Sequence, residues 1–134
     1  MKSLSKRLKD IILISIFIFI IHGVEEYLTG FYNVDTIFNF VFGYFSLFIN
    51  LKIIFVVFQL IWWLSLLTFF LFIHKNKISL LFLVLFGLVF IFELHHIAKS
   101  VIFSEYYPGL ISSVLFPIIG FFYWRELIIN IKTI

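Results

Sequence analysis

The amino-acid sequence predicts an all-α membrane protein: a four-transmembrane-helix bundle, N-in and C-in, with a short interfacial helix between spans one and two. Three observations predict it. The chain is 63% hydrophobic and 13% charged, with a mean hydropathy of +1.19, whereas a soluble domain carries roughly 25% charged residues. Four apolar runs approach the length of about 20 residues that a helix needs to cross the hydrocarbon core. The basic residues collect where a four-span chain would place them on one side. At 134 residues, one transmembrane domain is expected.

The first span is expected at about residues 11–28. Its basic leader and apolar core look like a secretory signal, but IHGVEEY follows where a small-residue cleavage site would stand. The run therefore reads as a retained anchor helix. Next comes TGFYNVDTIFNF, with Gly30, Asn33 and Asp35. It is too polar for hydrocarbon and aromatic enough for an interface. Phe38, Phe42, Phe45 and Phe48 recur at helical spacing, so residues 37–50 are expected as a short amphipathic or re-entrant segment.

The second span is expected at 53–73, with Trp62 and Trp63 inside it. HKNK (74–77) is a charged turn, and His74 within it a solvated residue. The third span is expected at 78–97. The loop AKSVIFSEYYPG follows and ends on Pro108-Gly109. The fourth is expected at 110–129, with Pro117 and Gly120 tolerated as a kink. Trp62, Trp63, Tyr123 and Trp124 read as aromatic packing or an interface belt.

Charge placement orients the spans. Lys2, Lys6, Arg7 and Lys9 precede the first, Lys75 and Lys77 separate the second and third, and Arg125 and Lys132 close the fourth. That is eight of the ten Lys and Arg; only Lys52 and Lys99 fall opposite. The positive-inside rule then puts both termini in the cytoplasm. The pI of about 9.2 reflects this topology, and no nucleic-acid partner is expected. The absence of cysteine excludes disulfides, iron–sulfur clusters and thiol catalysis. No phosphate loop or Ser/His/Asp arrangement is present, and neither a nucleotide nor a haem is expected.

The chemistry-bearing residues fall in two clusters. His22, Glu25 and Glu26 form HGVEE near the end of the first span. Residues at i, i+3 and i+4 share a helix face. Glu93, His95 and His96 form ELHH near the end of the third span, with Glu93 and His96 at i, i+3. Spans one and three run in the same direction, so both clusters are expected at the outer ends of their helices; if the two helices are neighbours, the motifs face each other. His95 points about 100° away from His96.

Carboxylates inside a span cost roughly 2.5–3.5 kcal/mol each on insertion scales. The clustered groups must neutralise one another, bind a cation or line a wet cavity. A Glu-x-x-His pair facing Glu and His from another helix is also how helical bundles hold metals. His22, Glu25, Glu26, Glu93 and His96 are the expected ligands, for zinc, iron or manganese. Glu25 and Glu93 are the expected acid/base residues. The same set could move protons without a metal, as in a cofactor-free isomerase or cyclase. The plainest alternative is interhelical glue, worth about 0.6–2 kcal/mol per hydrogen bond. Asn50 and Gln59 are within reach of the cluster by register, with Gln59 reading as a packing hydrogen bond. Glu105, Tyr106 and Tyr107 either cap the site or anchor the interface.

HGVEEY, the His-containing end of the third span and Tyr107-Pro108-Gly109 together resemble the HXXEE family of small bacterial membrane proteins. The likeness covers roughly residues 10–130. His22, Glu25 and Glu26 match the motif that names the family. The resemblance implies a multi-span protein of the bacterial cytoplasmic membrane and no settled activity.

Two functional readings follow. One is a membrane-embedded divalent-metal protein, possible as a metal-dependent hydrolase on a lipid-like small molecule. The other is a non-enzymatic partner, an immunity protein or a small transporter component, whose cluster binds an ion or holds helices together. A lipid-sized pocket beside His22 and Glu93 would favour the first.

Overall fold

The computed structural model describes residues 4–75 and 77–132; Lys2 of the N-terminal charge set and Asn76 of the charged turn lie outside the described residues. The chain is 85% helical, and no strand occurs among the described residues. Four helical stretches are long and apolar enough to cross a membrane: Lys6–Thr29, Leu51–His74, Leu80–Phe103 and Leu110–Lys132. They match the expected spans in order and number; the first two extend at both ends, the third begins at Leu80 rather than 78 and runs on to Phe103, and the fourth starts at Leu110 as expected and runs on to Lys132.

The first stretch is one helix, α1 (Lys6–Thr29), whose N-terminus is capped by the Ser5 hydroxyl accepting from Leu8 N–H. It stops at Gly30, which takes a left-handed φ of 77°. Two short helices follow, α2 (Phe31–Val34) and α3 (Thr36–Phe42). The Asp35 side chain caps α3 by accepting from Phe38 N–H. A 3-10 turn, Gly43–Leu47, ends the segment. The expected stripe of phenylalanines is therefore split. Phe38 and Phe42 pack on Phe55 and Phe58, whereas Phe45 and Phe48, beyond the helix, are exposed.

Helix α4 (Leu51–His74) begins on the Asn50 side chain, which accepts from Lys52 N–H. The third stretch comprises α5 (Leu80–Phe92) and α6 (Leu94–Phe103), and its winding loosens at Glu93, where ψ is −13°. It runs well past residue 97. Lys99 and Ser100 read as loop residues in sequence, but Lys99 Nζ binds the Asp35 carboxylate and Ser100 Oγ donates to the Glu105 carbonyl. With both polar groups satisfied, the helix continues to Ser104, which closes it at φ 54°. Glu93 thus lies inside the span, about 15 Å from its end at the helical rise. The fourth stretch comprises α7 (Leu110–Ser113) and α8 (Leu115–Lys132).

Helix α1 packs on α4, α7 and α8, and α5 packs on α8. The main core fills between α1, α5 and α8 with Leu8, Ile12, Phe19, Leu83, Phe86, Phe116 and Tyr123. Tyr123 OH donates to the Leu83 carbonyl and Trp124 Nε1 to the Gly87 carbonyl. These aromatics therefore serve packing. The two ends of the chain meet: Ser5 N–H donates to Asn130 Oδ1 and Arg7 pairs with Glu126. Much of the exterior is as apolar as the core; Phe17, Ile21 and Leu64 are each about 60% exposed. Such a surface suits hydrocarbon around it.

Consecutive helices α4 and α5 stand apart at the backbone and meet through the stacked rings of Phe69 and Phe86, with cavities opening beside them. Small residues let the other pairs approach. A Cβ on Gly87 would come within 2.6 Å of the Trp124 ring and 2.9 Å of the Tyr123 ring. Gly87→Ala is expected to push α5 off α8 and cost about 1–3 kcal/mol. Thermal unfolding in detergent reads this as a lower Tm than for an alanine placed at exposed Leu81.

Candidate metal centre

The two clusters do meet. Helices α1 and α6 bring His22, Glu26, Glu93 and His96 around one point, all of them buried or nearly so. His22 Nε2 lies 3.0 Å from Glu93 Oε2 and 3.6 Å from Glu26 Oε1. His96 Nε2 lies 3.3 Å from Glu93 Oε2 and 3.4 Å from Glu26 Oε1. The two Nε2 atoms are 3.2 Å apart.

Second contacts fix which ring nitrogens carry hydrogen. His96 Nδ1 is 2.6 Å from the Pro108 carbonyl, an acceptor only, so Nδ1–H donates. His22 Nδ1 is 2.7 Å from Ser112 Oγ. That hydroxyl gives its own hydrogen to Glu25 Oε2 and therefore accepts from His22 Nδ1–H. Each ring then turns its Nε2 toward the other ring and toward two carboxylate oxygens. Buried together, these four atoms need a cation or a shared proton among them.

His22, Glu93 and His96 form a group that could hold a metal ion, with ligand atoms all within 4.8 Å of one another. Tetrahedral ligands at about 2.0–2.2 Å from zinc stand roughly 3.3–3.6 Å apart, and most separations above fall in or beside that range. Two ionised glutamates and two neutral imidazoles would carry two negative charges, which a divalent cation cancels. The outward hydrogen bonds of both histidines are of the kind that orients metal-binding imidazoles.

Glu25, expected with this set as ligand and acid/base group, takes another place. Residues i+3 and i+4 from His22 lie on opposite sides of it around the helix. Glu26 turns to the cluster and Glu25 to α7. There it accepts from Ile111 N–H, Ser112 N–H and Tyr106 OH. Gln59 reaches the cluster from α4, its Nε2 donating to Glu26 Oε2 at 2.8 Å. Asn50 stays at the exposed start of α4, Glu105 and His74 are exposed, and His95 faces Asp35 at 3.8 Å.

Three positions carry weight that the sequence did not single out. Ser112 links Glu25 to His22. Gly109, at φ 86°, leaves room for both imidazoles: a Cβ there would stand 2.8 Å from His22 Cε1 and from His96 Nδ1. Asp35 binds Lys99 Nζ, Tyr107 OH and Phe38 N–H, tying the α2–α3 segment to α6 and to the Pro108 turn. A carboxylate and a lysine of opposite sign, 64 residues apart, were the only available signal for that tie.

A small helical membrane-type bundle enclosing a His/Glu centre is the class that fold and site define. The profile of a family described as proteins of unknown function with an HXXEE motif matches residues 13–123, and the chain belongs to that family. His22, Glu25 and Glu26 are the motif. No curated protein and no solved structure matches the chain significantly.

Burial pushes the Asp35 carboxyl up, but the Lys99, Phe38 and Tyr107 hydrogen bonds outweigh it and hold it below its ordinary value of 3.8. Burial, then the Asp35 bond, raises the Tyr107 phenol, which stays a donor. A lowered carboxyl pKa stabilises the fold fully above the ordinary value and less as pH falls through the folded one. Asp35→Asn is therefore expected to cost on the order of 3 kcal/mol near neutrality, by leaving Lys99 unpaired. The gap to the wild type should close as pH falls below about 4. Denaturation midpoints taken across pH check both signs.

Proposed function

We propose that this protein binds one divalent cation (zinc, iron or manganese) through His22, Glu26, Glu93 and His96, and acts within the bilayer on a lipid-like molecule. The observation that carries the reading is the pair of imidazoles held from behind through Nδ1, with both Nε2 atoms turned inward upon two carboxylates. A cation there would polarise a carbonyl or phosphoryl oxygen, or make bound water a nucleophile near neutral pH. Glu93 is the group beside both histidines, and Glu25 acts through Ser112 as a positioning residue.

Substrate access supports the same reading. A cavity of about 510 Å³ adjoins the centre, lined by His22, Glu26, Gln59 and Glu93 and otherwise mostly by apolar side chains. Its size falls in the range of roughly 300–1,000 Å³ typical of ligand pockets.

The protein purified in mild detergent is expected to carry about one equivalent of divalent metal by elemental analysis. His22→Ala and His96→Ala should abolish it, and Ser112→Ala should weaken it roughly 10–100-fold by freeing the His22 ring. A metal content near zero in the wild type, unmoved by His22→Ala, would sink the proposal and leave the proton-chemistry reading.

We also infer that both termini are cytoplasmic, in a bacterial cytoplasmic membrane. The chain ends pack together, and the positive-inside rule assigns their side. The cysteine-free sequence permits a direct check. Ser46→Cys should react with an impermeant maleimide added outside intact cells, and Lys77→Cys only after lysis.

A further inference from the structure

We propose that α3 and the 3-10 turn after it lie in the plane of the leaflet opposite the chain ends, with Ile37, Phe40, Val41, Tyr44 and Leu47 among the acyl chains. The partner of this surface is lipid. The segment thereby holds the mouth of the cavity beside the His/Glu centre at acyl-chain depth, whether or not a cation fills that centre.

The segment has three faces, since each residue turns the chain by about 100° in α3 and about 120° in the 3-10 turn. Phe38 and Phe42 form the first and rest on Phe55 and Phe58 of α4. Ile37, Phe40, Val41, Tyr44 and Leu47 form the second, and all five are exposed, Phe40 to 90%. Thr36, Asn39, Gly43 and Ser46 form the third, on the far side from the second. An apolar and a polar stripe set apart in this way suit a segment lying in the interface plane, with its apolar side chains buried about 5–10 Å.

Three observations favour lipid over water against the second face. Residues 36–51 include no charged side chain and no histidine. The segment meets its own hydrogen bonds: Asn39 Nδ2 donates to the Tyr32 and Asp35 carbonyls, Ser46 Oγ to the Gly43 carbonyl, and the Phe48 and Ile49 N–H groups to the Phe45 carbonyl. That economy is what a layer poor in water demands. The face also continues onto α4, whose Val57, Leu60 and Ile61 are exposed on the apolar exterior. Ile37 and Val41 are each about half exposed and yet line the 510 Å³ cavity with Phe38 and Phe42. Side chains that belong to both the cavity wall and the exterior mark its mouth, so the depth of the stripe sets the depth of the mouth.

The chain has no cysteine, so a single nitroxide label reports one position. Phe40→Cys, Val41→Cys, Tyr44→Cys and Ser46→Cys are labelled in the full chain and reconstituted into phosphatidylcholine vesicles. All four positions are exposed, so a label displaces no packed side chain. Collision with oxygen, which concentrates in hydrocarbon, is compared with collision with a water-soluble nickel chelate. The oxygen-to-nickel ratio is expected to be several-fold higher at 40, 41 and 44 than at 46. A ratio at 40 and 44 no higher than at 46 overturns the in-plane arrangement, whether the whole segment then lies in water or in hydrocarbon. A high ratio at 40 and 44 with a nickel-favouring label at 41 overturns the placement of the mouth. Spin–spin broadening confined to the labels at 40 and 44 means that a second copy covers the face, and overturns lipid as its partner. None of these readouts depends on metal content, so the cation reading stands or fails separately.

Discussion

Two imidazole nitrogens and two carboxylate oxygens lie buried together, each nitrogen 3.0–3.6 Å from both oxygens and 3.2 Å from the other nitrogen. Electrostatic interaction among such groups is strong in an apolar interior and weak in water. The structure around the cluster is organised to hold that arrangement together. Helix α1 supplies His22 and Glu26, the loosened turn at Glu93 lets α5 and α6 present Glu93 and His96 together, and α4 braces Glu26 through Gln59. The Pro108 carbonyl and Ser112 hydroxyl fix the rings from behind.

The bracing shell is itself braced. Glu25 accepts three hydrogen bonds at the start of α7 besides that of Ser112 Oγ, so the first turn of the fourth span is set by the same helix that carries His22. Asp35, Lys99 and Tyr107 tie the α2–α3 segment, α6 and the Pro108 turn in one network. Gly109 is where these constraints meet, because only a residue without a side chain fits between both imidazoles at a positive φ.

Much of this was legible in the sequence. Apolar length fixed the four spans, and register alone placed His22, Glu26, Glu93 and His96 on facing helices. Their meeting followed from spans one and three running in parallel. The rest failed for identifiable reasons. Shared-face logic grouped Glu25 with Glu26, although 100° per residue sets them on opposite sides of His22. Lys99 made the third span look short, because its partner Asp35 sits in a distant segment. Ser112 is one of two serines in an otherwise apolar run, and its role depends on three-dimensional contacts that no spacing rule encodes.

A cavity that opens on the apolar exterior beside the His/Glu centre would change what affinity means if the proposed lipid-like substrate is the ligand. A molecule dissolved in a membrane is confined to a thin layer and concentrated there, so its effective concentration at the cavity would far exceed that in bulk water. Modest contact energy would then suffice for high occupancy. Compounds designed against the site would be ranked by their partitioning into the bilayer as much as by their fit, and water-soluble head-group mimics would look weak whatever their complementarity.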